Sequence, residues 1–193
     1  MGIPVLPLND PGAFHGACWR EGGRNIIILK QQTDSAARWL YDIIHELRHC
    51  AENPEIAEHL VIETNPISPD RQESDSEEEA NEFAKDVILG GRSDELEQAC
   101  VRLAGGSVEQ LKWAVPKIAE KEGVEIDSLA NHMAFRLSQQ GINWWGAANN
   151  LQREKFSPWE HARRIFLQRI DLGALGEFDR GLLTRAVTDI LEV

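Results

Sequence analysis

Apolar positions along the chain change their period near residue 33. Before it, 14–20 and 25–30 are short apolar runs separated by Glu21-Gly22-Gly23-Arg24, a turn sequence that predicts a β-hairpin. Residues 1–12, with Pro4, Pro7, Pro11 and Gly12, read as an extended lead-in. After it, Ala37, Leu40, Ile44 and Leu47 recur at helical spacing. That spacing predicts a helix from a Thr33 or Asp34 cap to about Ala51, ended by Pro54. The run 59–64 (HLVIET) predicts a third strand, with a loop around Pro66 and Pro69 after it.

From 76 onward the period is helical. One helix is expected over 76–89, with Ser76 as cap and Gly90-Gly91 as stop. Others follow at 93–104, 107–122, 126–139 and 143–152, and Pro116 should start a new turn or kink its helix. Amphipathic helices at 158–169 and 178–191 close the chain. The pattern predicts an α+β fold, with a small N-terminal β-sheet followed by a mostly helical body. It divides into a domain over 1–152 and a helical appendage over 153–193 that packs on it or mediates association.

Composition narrows the function classes. With 42% hydrophobic and 27% charged residues among 193, wholesale disorder is excluded. No apolar run approaches the ~20 residues of a membrane-spanning helix. The net charge of -12 argues against direct nucleic-acid binding, which rests on phosphate neutralisation by Lys and Arg. That charge is local. Between Glu52 and Glu82 stand eleven acids and one base, Arg71, which accounts for -10 of it. Cys18, Cys50 and Cys100 are widely spaced, without a CxxC pair, so neither a disulfide framework nor a thiolate zinc site is expected. The first residues lack the basic and apolar regions of a signal peptide, and a cytoplasmic setting is the expectation.

The candidate chemistry begins at His45-Glu46-Leu47-Arg48-His49, an HExxH sequence inside the first helix. Residues i and i+4 share a helical face, so two imidazoles can converge on one cation. Glu46, turned by about 100°, stands close enough to take a proton from water at that cation. Catalytic zinc normally takes three protein ligands. A metzincin would place Gly at 52 and His at 55, where this chain has Glu52 and Glu55, so that route is excluded. The run Glu77-Glu78-Glu79-Ala80-Asn81 offers a Glu on the next helix with a polar partner four residues on. Glu77 is the expected third ligand, with Glu78 as the fallback, and Asn81 is expected to orient a ligand histidine. One Zn2+ ion fits a His, His, Glu set.

These residues carry a family resemblance. The strand-turn-strand lead-in, Ile43-Ile44-His45-Glu46-Leu47-Arg48-His49, and Glu77-Glu78-Glu79-Ala80-Asn81-Glu82-Phe83-Ala84 resemble the ImmA/IrrE family of zinc-dependent metallopeptidases. The second motif is the more specific, and the resemblance spans about 13–152, weakly after 90. It implies a zincin-like, gluzincin-type fold, zinc held by His45, His49 and Glu77, and Glu46 as the catalytic base. It also implies a protein substrate: a helix-turn-helix repressor, basic as DNA-binding proteins are, in mobile-element or stress regulation. No helix-turn-helix sequence precedes the hairpin, so such a repressor is expected as a separate partner or in a missing extension. Arg48 stands where the family usually has Gly, and Val87-Ile88-Leu89-Gly90-Gly91 replaces its usual Leu-Leu-Met-Pro-like stretch.

Peptide hydrolysis at such a site needs a further donor for the tetrahedral intermediate. Tyr41, one turn before His45, and His132 are the candidates, and Asp42 is a candidate partner for His45. His15, His59 and His161 lack ligand spacing, Trp144, Trp145 and Trp159 read as packing residues, and Cys50 as a buried thiol. Two rival classes are a binding module that regulates a partner without catalysis and a toxin–antitoxin component.

Overall fold

A computed structural model describes residues 2–9, 14–30, 33–64, 75–153 and 157–188. Its fold is α+β. The expected Pro66/Pro69 loop, Arg71 and positions 189–193 lie outside the described residues. Four strands form one mixed sheet: β1 (Val5–Pro7), β2 (Phe14–Glu21), β3 (Arg24–Leu29) and β4 (His59–Thr64), in the order β1-β3-β2-β4. β2 and β3 are the expected hairpin. Gly22 and Gly23 turn it at φ 54° and 73°, left-handed values that a type I′ two-residue hairpin turn requires at both positions. β4 lies antiparallel on the other edge of β2, with Trp19 opposite Leu60. The lead-in is more than a connector, since β1 pairs in parallel with β3, Val5 opposite Ile27. Three residues beside prolines carry no alternation to read; the open edge of β3 makes them a strand.

The helix α1 (Ala36–Cys50) is capped by Ser35 rather than Thr33 or Asp34. Ser35 Oγ accepts from the Arg38 N–H at 3.2 Å, while Thr33 Oγ1 accepts from the Ser35 N–H at 3.1 Å. The opposite end is closed by a buried cation. Arg20 on β2 donates from Nη2 to the carbonyls of Cys50 (2.7 Å) and Glu52 (2.9 Å), and from Nη1 to those of Asn53 (2.6 Å) and Ile56 (3.1 Å). A positive group at a helix C-terminus satisfies carbonyls the helix leaves open and complements its dipole.

The remaining helices are α2 (Asp75–Leu89), α3 (Ser93–Leu103), α4 (Leu111–Glu122), α5 (Ile126–Gln139), α6 (Trp145–Asn150), α7 (Pro158–Arg169) and α8 (Glu177–Ala186), with a 3₁₀ turn at Leu172–Ala174. α4 continues through Pro116. None of the described helices is long and apolar enough to cross a membrane.

Two apolar clusters hold these parts. The larger is helical and includes Leu89, Leu96, Leu111, Val115, Leu129, Met133 and Trp144. The smaller joins the sheet to α1 and α7 through Cys18, Ile27, Leu29, Trp39, Cys50 and Trp159. Trp159 joins α7 to the sheet, its ring buried and its Nε1 donating to the Leu8 carbonyl at 3.3 Å. Truncating such a buried Trp to Ala typically costs about 3–5 kcal/mol. The Asn9 N–H adds a bond to the Ala186 carbonyl at 2.7 Å.

The face that α1 turns inward takes in only part of its apolar stripe. Leu40 and Leu47 are exposed, whereas Trp39, Ile44, His45, Glu46, His49 and Cys50 are buried. A helix that buries two imidazoles and a carboxylate needs a polar function for them, because burying such groups without partners is costly.

Candidate metal centre

α1 and α2 pack side by side and bring three ligand atoms together. His45 Nε2 and His49 Nε2 are 3.2 Å apart. Glu77 Oε2 lies 3.2 Å from His45 Nε2, and Glu77 Oε1 lies 3.5 Å from His49 Nε2. A tetrahedral zinc site with bonds of ~2.0–2.1 Å separates its ligand atoms by about 3.3 Å. The two imidazole nitrogens already stand near that separation, each has one Glu77 oxygen at a similar distance, and one ligand atom from each of the three residues lies within 4.8 Å of the others. His45 and His49 are buried and Glu77 is half-buried. Two imidazoles and a carboxylate are the donor set that suits a divalent ion of zinc's type, so the residues fit the group. Among the described residues this is the one cluster with metal-ligand geometry.

The register of the acidic run is decided by the same geometry. Glu77 faces the histidines, while Glu78 is exposed on a shallow groove with Arg48, Asp75, Glu79, Glu82, Phe83 and Asp86. Arg48 does not lie over the ligands: it is paired with Glu79 and stands 3.9 Å from Glu52.

Behind His49 is a carboxylate with no place in the sequence reading except as the residue that excluded a metzincin. Glu52 Oε1 lies 3.1 Å from His49 Nδ1 and accepts from Ser76 Oγ at 2.7 Å. Ser76 sits inside the first turn of α2 and directs its hydroxyl there instead of to a helix cap. A carboxylate on the far nitrogen fixes the imidazole tautomer, leaving Nε2 free to bind a cation. Arg20 holds the Glu52 carbonyl, so the loop carrying this carboxylate is itself anchored on β2.

The electrostatics agree. Burial opposes the charged form of Glu77, but the hydrogen bonds and charges of His45 and His49 outweigh it and hold the carboxyl at about 2. Burial likewise depresses His49, yet Glu77 and Glu52 outweigh it and raise the imidazole above its ordinary value. Glu52 is lowered because Ser76 and His49 outweigh its burial.

Glu46 occupies the adjacent turn position and is 1% exposed. Its carboxylate lies against the backbone of Gly16 on β2, where a Cβ would overlap Oε1. The absence of a side chain at Gly16 makes that approach possible.

Tyr41 and Asn81 meet each other, with the phenol donating to Asn81 Oδ1 at 2.7 Å. The Tyr41 ring is stacked near His45, centroids 6.4 Å apart, so this bond between α1 and α2 braces the ligand ring from one side. The one bond resolved for Asn81 is thus to Tyr41, a step beyond the histidine it was expected to orient. Asp42 is half-buried on α1. His132 stands on α5 with Nε2 3.9 Å from Glu97 Oε2, and its other charged neighbours are Lys85, Arg136, Asp94 and Glu82, none of them a member of the triad. His59 lies 3.7 Å from Glu52, and His161 is exposed beside Arg164.

No family model, curated protein or solved structure matches the chain. The geometry of the site therefore carries the functional argument.

Proposed function

We propose that the protein is a zinc-dependent metallopeptidase with a zincin-like fold of the ImmA/IrrE kind, acting on a basic DNA-binding regulator. The observation that carries this reading is the 3.2–3.5 Å spacing of His45, His49 and Glu77 with Glu46 buried at the neighbouring position. Bound there, a divalent cation would supply Lewis acidity, lowering the pKa of a water toward about 7 and polarising a carbonyl. His45, His49 and Glu77 would hold that ion, with His49 oriented by Glu52 and His45 braced by Tyr41. Glu46 takes a proton from the attacking water and returns it to the leaving amine. Tyr41 contributes as a donor to the tetrahedral oxygen only after releasing Asn81, so its first role is positional.

The substrate preference follows from charge. The shallow groove along α2 carries Asp75, Glu78, Glu79, Glu82 and Asp86, and its single cation, Arg48, is already paired with acids. Such a surface favours a basic chain and should bind it more weakly as salt rises.

The test compares wild type with Glu46→Gln on basic helix-turn-helix proteins and on a mixed peptide library. The variant keeps the three ligands, so it should retain metal and lose hydrolysis by about 10²–10⁴-fold. Full hydrolysis by a metal-loaded Glu46→Gln protein would refute the proposed mechanism.

A further inference from the structure

The geometry points to Cys18 and Cys50 as an oxidation site, a buried dithiol that a peroxide converts to an intramolecular disulfide stapling β2 to the end of α1. The two residues are 32 positions apart, and no sequence spacing links them. The fold does, because the second strand lies across the last turn of α1. Their sulfurs are 2.7 Å apart, so a covalent bond of ~2.0 Å requires them to close by only about 0.7 Å. Both are free thiols and both are buried. The backbone between them is already tied, through Arg20 Nη2 on the Cys50 carbonyl and Asn25 Nδ2 on the same atom at 3.1 Å. Cys100 lies in the other apolar cluster, and no such thiol contact accompanies it.

The chemistry balances with hydrogen peroxide as the oxidant. The sulfur of one cysteine attacks the O–O bond; an S–O bond forms, the O–O bond breaks, and the departing oxygen leaves as water with the thiol proton. The second sulfur then attacks the sulfenic sulfur, the S–S bond forms, and the S–O bond breaks with release of a second water. Two thiols lose two hydrogens and two electrons, and one peroxide becomes two waters. The bond sits one residue past His49 and, on β2, two residues past Gly16, against which Glu46 packs. Oxidation therefore fixes the strand behind Glu46 to the turn that carries His49.

The full chain, purified reduced, is treated with equimolar hydrogen peroxide, quenched, denatured and assayed for thiols and intact mass. Three thiols should fall to one, and the mass should drop by about 2 Da in a monomer, reversibly with dithiothreitol. Closing a loop of this length should raise the melting temperature by about 10 °C. Cys100→Ser should lose both remaining thiols in the same way, and Cys50→Ser should form no intramolecular bond. The proposal is overturned if the thiol count stays at three, if mass rises in steps of oxygen, or if disulfide-linked dimers form. It is also overturned if Cys50→Ser still loses two thiols reversibly, or if the oxidised protein melts no higher than the reduced. None of these readouts requires metal or a substrate.

Discussion

Replacing Gly16 by alanine inserts one methyl group into the space taken by the Glu46 carboxylate. The added Cβ would overlap Oε1 and stand 3.0 Å from Cδ and 3.3 Å from Cγ, closer than carbon atoms rest. Glu46 is 1% exposed and cannot swing into solvent, so either β2 backs away from α1 or the carboxylate leaves its place against β2. Overpacking of this kind costs about 1–3 kcal/mol. For a chain of this size that lowers the melting temperature by roughly 3–10 °C. The triad contains no atom of β2, so metal content should be unchanged. Hydrolysis should fall by at least about 10²-fold, because a displaced general base loses most of its contribution. The assay pairs thermal melts with metal analysis and peptide cleavage. A Gly16→Ala protein that melts within about 1 °C of wild type and cleaves at full rate would refute the contact between β2 and Glu46.

Three further outcomes follow from the same structure. Glu52→Ala removes the partner of His49 Nδ1 and should weaken metal binding by about 10–100-fold in a chelator competition; unchanged affinity would contradict its orienting role. Arg20→Met removes the guanidinium bonds to the carbonyls of Cys50, Glu52, Asn53 and Ile56, and urea unfolding should show a loss of about 3–5 kcal/mol, with a loss under 1 kcal/mol counting against the anchor. His132 is held down at about 4, first by burial and then by Lys85 and Arg136, against an ordinary 6.5. Between these values the unfolded chain binds more protons than the folded one, so stability is full above pH 6.5 and falls toward pH 4 by up to roughly 3 kcal/mol. Thermal melts across that range should show this loss in wild type and a flatter profile in His132→Gln.

The elements were legible wherever a period of two or 3.6 ran long enough. The hairpin, α1, β4 and the later helices lie close to where the pattern of apolar residues puts them, except that the last helix, expected to run to 191, ends at Ala186. β1 was not legible, since three residues beside prolines become a strand only through the edge of β3. The triad was readable because HExxH and the Glu77 run each sit on one helix, where spacing alone determines the shared face. Which face of α1 turns inward was less accessible, as Leu40 and Leu47 carry apolar character yet lie outside. Glu52, Gly16, Arg20 and the Cys18–Cys50 pair act across the contact between α1 and its neighbours. The contacts of Gly16, Arg20 and Cys18 with α1 join residues some thirty positions apart and leave no periodic trace, while Glu52 stands three residues past His49, beyond the end of the helical period.

The central claim is that His45, His49 and Glu77 hold one divalent cation. It is tested most directly by measuring metal in the purified full chain after equilibration with zinc and removal of free ion. One zinc per chain in wild type and none in His49→Ala, with both proteins folded, is the result this account predicts. A folded wild-type chain that binds no zinc, or a His49→Ala chain that binds it as well, would contradict it.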